Sequence, residues 1–166
     1  MEKIILASGS PRRKEILEKN NVLFETKVSD VDESYSSTYT KEQIAMILAF
    51  RKALDIEEQY KEGIVIGADT IVCIGEILGK PTDREHAYYM LKKLSGRSHE
   101  VITGVAVIRI NSLERVVFYD STKVFFKELT EDEIYSYISS GEVWDKAGAY
   151  AVQGMGSELI DKLEGD

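Results

Sequence analysis

Apolar and polar positions along the chain separate short strand-like runs from longer helical ones. Ile4–Ala7 is a short apolar run that predicts a strand ending in Ser8-Gly9-Ser10-Pro11. Ser10 suits an N-cap and Pro11 the first helical turn, so a helix is expected over Pro11–Asn20, with Ile16 and Leu17 toward the core. Val22–Val28 alternates roughly as a strand, and Ser29–Tyr39 is polar and acidic and reads as a loop. Three further helices carry capping boxes, in which a threonine caps the backbone and the residue three on reaches back. Thr40-Lys41-Glu42-Gln43 opens a helix to about Tyr60. Thr82-Asp83-Arg84-Glu85 opens one to about Leu94. Thr130-Glu131-Asp132-Glu133 opens one to about Ser139, closed by Gly141. Between them Gly63–Ile74, Val101–Ile110 and Arg115–Phe126 are apolar and β-branched enough for strands. Helices alternate with strands at first and two long strands then follow one another. That order predicts a layered α/β fold with a mixed sheet flanked by helices.

Composition narrows the function classes. The 166 residues fit one domain, residues 1–166, with enough chain to bury a core. Hydrophobic residues make up 43% and charged residues 30%, a balance that reads as soluble and globular. Lysine and arginine number 21 against 29 acids, a net charge of −8, which argues against general charge-driven binding of nucleic acid. An anion must then be held by a local basic cluster, with or without a metal. The single cysteine, Cys73, excludes an internal disulfide framework and a cysteine-rich zinc site, and its apolar neighbours suggest a small buried side chain. No apolar stretch approaches the ~20 residues of a membrane span. The N-terminus leads straight into a strand rather than a signal peptide, so a cytoplasmic location is expected. There is no internal repeat, low-complexity tract or flexible linker.

Five segments could carry chemistry. Ser8-Gly9-Ser10-Pro11-Arg12-Arg13 joins a strand to a helix N-terminus, where unpaired N–H groups favour an anion and the arginines add phosphate-matching forks. The same residues also suit a capped helix with two solvated arginines. Asp69, inside Ile64–Val72, is an acid in an otherwise buried strand pattern with small neighbours Gly67 and Ala68. That makes it a candidate general base or metal ligand, or a carboxylate bonded to a loop. Lys80 in Leu78-Gly79-Lys80-Pro81-Thr82 is presented by a stiffened loop before a helix start, or is simply solvated. Arg51-Lys52 lies on the long helix beside the apolar positions Ile44, Ile47, Leu48 and Leu54; a lysine there can snorkel to solvent or point into a cleft. The stretch Trp144–Gly154 is rich in small residues, and the amide of Gln153 could read a base edge. His86 and His99 are far apart and show no metal-ligand or triad spacing.

Taken together, Ala7-Ser8-Gly9-Ser10-Pro11-Arg12-Arg13, Gly67-Ala68-Asp69-Thr70, Gly79-Lys80-Pro81, Leu94-Ser95-Gly96-Arg97 and Asp145-Lys146-Ala147-Gly148-Ala149-Tyr150 with Gln153-Gly154 resemble the Maf (septum formation protein) family, in its order and over nearly the whole chain. The resemblance implies a two-lobed fold with a central cleft, like that of inosine triphosphate pyrophosphatases. It also implies a nucleoside triphosphate pyrophosphatase that releases a nucleoside monophosphate and pyrophosphate with a divalent metal, Mg2+ or Mn2+. Carried over residue by residue, Asp69 is the proton acceptor. Ser8, Ser10, Arg12, Arg13, Lys52 and Lys80 bind phosphate. Arg12, Thr70 and Gln153 govern base choice, and Glu33 and Asp69 serve the metal. The motif around Tyr150 and Gln153 resembles the subgroup acting on dTTP and UTP. A homodimer, with no stable nucleic-acid partner and no membrane, is the expected assembly. The implied cellular roles are cleansing of the nucleotide pool and a link to septum formation. A second reading is a non-catalytic nucleotide- or nucleic-acid-binding regulator of division. Family members usually continue past the Glu164-Gly165-Asp166 match, so the chain is expected to stop short of the family's C-terminal segment.

Overall fold

The computed structural model describes residues 2–165. Among the described residues seven strands and four helices follow one another as β1 (Ile4–Leu6), α1 (Pro11–Lys19), β2 (Glu25–Thr26), α2 (Lys41–Glu57), β3 (Ile64–Cys73), β4 (Ile77–Leu78), α3 (Arg84–Leu94), β5 (Ser98–Arg109), β6 (Arg115–Phe126), α4 (Glu131–Ser139) and β7 (Ile160–Gly165). Two 3-10 segments, Ala147–Ala149 and Gly154–Leu159, lie between α4 and β7. The strands form one mixed sheet in the order β2-β1-β3-β5-β6-β7, with β4 on β3. β1 runs parallel to both β2 and β3, whereas β3–β4 and β6–β7 are antiparallel. The expected α/β class with a mixed sheet and flanking helices is therefore observed.

The chain packs as two compact units, Met1–Asp69 with Thr103–Tyr119, and Thr70–Ile102 with Asp120–Asp166. In the first, Ile5, Val65, Ala106 and Ile108 of the sheet meet Ala49, Ala53 and Ile56 of α2. Small residues at Ala45, Ala49 and Ala53, one helical turn apart, let the α2 backbone lie directly on the strands. A Cβ on Gly67 would stand 2.4 Å from the Ala49 carbonyl oxygen, and one on Gly104 would stand 2.2 Å from that of Ala45. Glycine is required at both positions because backbone meets backbone there. In the second unit Met90, Leu91 and Leu94 of α3 pack with Val124 and Phe126 of β6 and Ile134 and Ile138 of α4.

Both capping boxes expected at Thr40 and Thr130 are present, with Gln43 and Glu133 reaching back. The third is corrected. Asp83 caps α3, its carboxylate accepting from His86 N at 2.7 Å, while the Thr82 N–H donates to His86 Nδ1 at 3.0 Å. A carboxylate in that place complements the helix dipole better than a hydroxyl. The strand expected over Val22–Val28 shrinks to two residues, because β1 is only three residues long and gives an edge strand little to pair with. Ile16 is not core: it is 44% exposed, and α1, rich in charge, buries no residue fully. Cys73 is half-buried rather than buried. Among the described residues no helix is long and apolar enough to cross a membrane.

Candidate active site

The first unit gathers most of the residues singled out at the carboxyl end of β1 and on β3 just beyond the last residue it pairs with β1, Ile66; ligands of open parallel sheets sit beyond strand ends of this kind. β1 ends at Leu6, and the chain turns through Ser8 and Ser10 into α1. Ser8 Oγ accepts from Ser10 N at 3.1 Å, and Ser10 Oγ caps the helix by accepting from Arg13 N at 3.4 Å. Arg13 folds back under this turn. Its Nη1 donates to Ser8 Oγ at 3.2 Å and to the Ala68 carbonyl at 3.0 Å, which ties the loop after β1 to β3 one residue before Asp69. Burial lowers the Arg13 guanidinium from its ordinary value, and the nearby Asp69 charge offsets part of that. No acid occupies the first turn of α1, so its N-terminus keeps its positive character beside two arginines. Arg12 is exposed and pairs loosely with Glu15 at 3.6 Å, a surface contact that leaves it available to an anion.

Asp69 is 9% exposed. The side-chain alternation of β3 puts it on the same face as Gly67, the face that α2 covers. Lys52 lies between the buried Leu48 and Ile56 on the inward row of α2, four residues from each. The close approach at Gly67 brings that row down onto β3, and Lys52 Nζ donates to Asp69 Oδ1 at 2.7 Å. The same ammonium reaches Glu33 Oε1 at 3.2 Å. Burial pushes the Asp69 carboxyl above its ordinary value, against the pull of Lys52, with Glu33 adding to the rise and Arg13 opposing it. The result is a buried carboxylate ringed by cations but a stronger base than a surface aspartate. Lysine 52 thus points inward, not out to solvent.

Glu33 owes its position to α2. The Arg51 guanidinium donates to the carbonyl oxygens of Asp32, at 3.2 Å, and Ser34, the two residues flanking Glu33. Asp55, one turn on, accepts from Ser29 Oγ at 3.2 Å and from Asp30 N at 3.3 Å. The acidic loop is therefore strapped to the helix that carries Lys52. Asp55 was missed as a site residue, and Arg51 was singled out only together with Lys52, with no role of its own. Their i, i+4 spacing is that of an ordinary solvated helix pair, and nothing in the sequence says that a loop twenty residues upstream lies against them. Glu33 and Asp69 are hard oxygen donors already sharing one cationic partner, the Lys52 ammonium. Among the described residues no cluster of three or more potential metal ligands exists. Two carboxylates are enough for an ion such as Mg2+ that keeps waters and takes its other ligands from substrate phosphates, so the residues present fit it.

The second unit carries the remaining candidates. Thr70 follows Asp69 on β3 and is half-buried. Lys80 and Gln153 are both exposed. The Gly148 N–H donates to the Gly79 carbonyl at 3.0 Å, so the segment leading to Gln153 is tied to the loop presenting Lys80. Gly148 packs on Val72, which a Cβ would meet at 3.0 Å, and its φ of 73° favours glycine independently. His99 is buried in this unit with Nε2 2.5 Å from Tyr150 Oη.

A mixed α/β sheet in which β3 carries a buried acid, α2 a lysine bonded to it and the start of α1 two arginines defines a protein that handles anions. The chain belongs to the Maf-like protein family, whose profile matches residues 3–166. It is 52% identical to a dTTP/UTP pyrophosphatase of Caldanaerobacter subterraneus subsp. tengcongensis, over 99% of this chain and 80% of that protein. It is 51% identical to one of Desulforamulus reducens, over 99% of this chain and 87% of that protein. It is 50% identical to one of Bacillus cereus, over 100% of this chain and 86% of that protein. Among solved structures, the Ham1 protein of Staphylococcus aureus shares the fold with a TM-score of 0.53 at 14% identity, covering 96% of this chain and 80% of that one.

Proposed function

We propose that this protein, as a single catalytic domain, hydrolyses dTTP and UTP between the α and β phosphates. The products are the nucleoside monophosphate and pyrophosphate. The observation that supports this most is the buried Asp69, paired with Lys52 at 2.7 Å and flanked by Arg13, on β3 just past its parallel pairing with β1. A protein that only binds phosphate gains nothing from a carboxylate placed among its cations; a hydrolase uses it. Relatives at about half identity that are named dTTP/UTP pyrophosphatase support the same reading.

In this account Ser8, Ser10, the α1 N-terminus, Arg12 and Arg13 bind the phosphate chain, joined by Lys52 and Lys80. Phosphoryl transfer depends mainly on positioning and charge stabilisation, which converging cations supply. Asp69 accepts a proton from the attacking water as the new P–O bond forms, the α–β phosphoanhydride breaks and pyrophosphate leaves with the bond's electrons. Its raised pKa strengthens it as that base. A triphosphate entering the site offers Lys52 a third anionic partner and weakens its hold on Asp69 and Glu33. Glu33 and Asp69 would hold a divalent cation, Mg2+ or Mn2+, which supplies charge neutralisation on the phosphate oxygens. Arg12, Thr70 and Gln153 choose the base. We place the protein in the cytoplasm as a homodimer, without membrane or stable nucleic-acid partners, and the exposed Val116–Tyr119 run of β6 offers apolar surface for a second copy. The test is product analysis with a panel of nucleoside triphosphates and Mg2+. Pyrophosphate with dTMP or UMP is expected; orthophosphate as the first product, or tight binding without turnover, contradicts the reading.

A further inference from the structure

We infer that His99 and Tyr137 set base preference by fixing the backbone that carries Gln153, as positioning residues that touch no substrate. The inference rests on the reading that Gln153 contacts the base.

Residues 147–156 are mostly glycine and alanine, and small residues hold a backbone poorly. Gly148, Ala149 and Gly154 all have left-handed φ, between 67° and 73°. For Ala149 that conformation is uncommon and persists only where surroundings impose it. The segment has two short 3-10 turns and no strand ladder, so side chains from outside it must decide its course. Two do so just before Gln153. Tyr150 Oη meets His99 Nε2 at 2.5 Å, and the Ala151 N–H donates to Tyr137 Oη at 3.1 Å. Just after Gln153, the Met155 N–H donates to the Glu142 carboxylate at 3.1 Å. Gln153 itself is exposed and has no partner among the described residues. Its backbone is held at 151 and 155, and its amide is left free.

His99 is otherwise hard to account for. It is 3% exposed, its Nδ1 is buried without a partner among the described residues, and Tyr150 is its one polar contact. The ring stands edge-on to Phe126 at 5.2 Å and to Tyr150 at 5.5 Å. Burial keeps it neutral, with its pKa lowered to about 4. Burial also holds the Tyr150 hydroxyl protonated, well above its ordinary value. Three phenyl rings would fill this space without leaving an imidazole nitrogen unsatisfied. A buried polar pair in such a place specifies one arrangement at the expense of stability, and the arrangement specified is that of Tyr150 and Ala151, which lead to Val152 and Gln153.

The test compares Tyr137→Phe, the double variant His99→Phe/Tyr150→Phe and Gln153→Ala with the wild type. The double variant removes both partners of the buried pair and keeps ring volume, so it folds without an orphaned group. Values of kcat/KM are measured for dTTP, UTP, dCTP and dGTP, together with competitive inhibition by inorganic tripolyphosphate, which has no base. Losing one anchoring hydrogen bond is expected to reduce the preference for dTTP over dCTP by roughly fivefold, mostly through KM, with tripolyphosphate inhibition unchanged. If Gln153→Ala changes the preference and the two anchor variants do not, the positioning role is wrong. If tripolyphosphate inhibition weakens in step, the anchors serve general structure and the inference falls. If Gln153→Ala leaves the preference intact, the base-reading assignment beneath the inference is wrong.

Discussion

The contact that makes this site is a close approach of backbones, and Gly67→Ala tests it. A Cβ at position 67 would lie 2.4 Å from Ala49 O, 2.9 Å from Ala53 N and 3.0 Å from Ala53 Cβ. Carbon and oxygen in even a close weak contact stay about 3.3 Å apart, so α2 and β3 must separate by about 0.9 Å. Neither partner is a flexible side-chain end, and the substitution belongs at the upper end of overpacking costs, about 3 kcal/mol. For a chain of this size that lowers Tm by roughly 6–12 °C. The separation also acts on chemistry. Lys52 and Asp69 meet at 2.7 Å, and moving their elements apart by about 0.9 Å takes the pair beyond hydrogen-bond distance. A displacement of about 1 Å at a reacting group can cost about a hundredfold in kcat. Urea unfolding and steady-state dTTP turnover read the two effects, with Gly79→Ala as the stability control, because a Cβ there meets nothing within 4 Å. A Gly67→Ala protein within about 1 kcal/mol of wild type and with unchanged kcat would refute the reasoning.

Other expectations follow from the same geometry. Arg51→Ala should release the loop holding Glu33 and raise the Mn2+ concentration needed for half-maximal activity several-fold; calorimetric Mn2+ titration in the presence of a non-hydrolysable triphosphate checks it, and an unchanged affinity would deny Arg51 the strap. Lys80→Ala should lower kcat/KM for every triphosphate by a similar factor, since a cation on phosphate reads no base; a selective loss on one base would contradict it. Asp69 must be ionised to act as a base and its pKa is raised, so kcat/KM should fall with acid at a pH above the ordinary aspartate range, and the wild-type pH–rate profile shows whether that limb exists. His99 titrates near 4 when folded and near 6.5 when unfolded, so the unfolded chain binds the extra proton between those values. Its contribution to stability is full above about 6.5 and declines as pH falls toward 4, by about 3 kcal/mol in total. The difference between wild type and His99→Phe/Tyr150→Phe in urea unfolding across that range should show this slope, and parallel curves would count against a buried neutral imidazole.

The sequence was most informative where a residue's chemistry is local. Threonine caps at 40 and 130 are read from four residues because the capping bonds close within four residues. The order of helices and strands, and hence the mixed sheet, came from apolar runs that the folded core does bury. Asp69 announced itself as an acid in a buried strand, and Lys52 as a cation on an apolar helix face. Their pairing was not legible, because it depends on α2 lying against Gly67. Short edge strands were also hidden. β7, Ile-Asp-Lys-Leu-Glu-Gly, is polar at most positions because it covers only the end of β6. His99 carried no spacing signal because its partner, Tyr150, is fifty-one residues away.

The central claim is that Asp69 is the base of a pyrophosphatase, and paired turnover and binding measurements on Asp69→Asn test it most directly. Wild-type protein with Mg2+ and dTTP should release pyrophosphate and dTMP in equal amounts. The variant should still bind dTTP, because Arg12, Arg13, Lys52 and Lys80 remain, and should lose turnover by at least about a hundredfold. Pyrophosphate release by Asp69→Asn at the wild-type rate would remove Asp69 from the chemistry and the account with it.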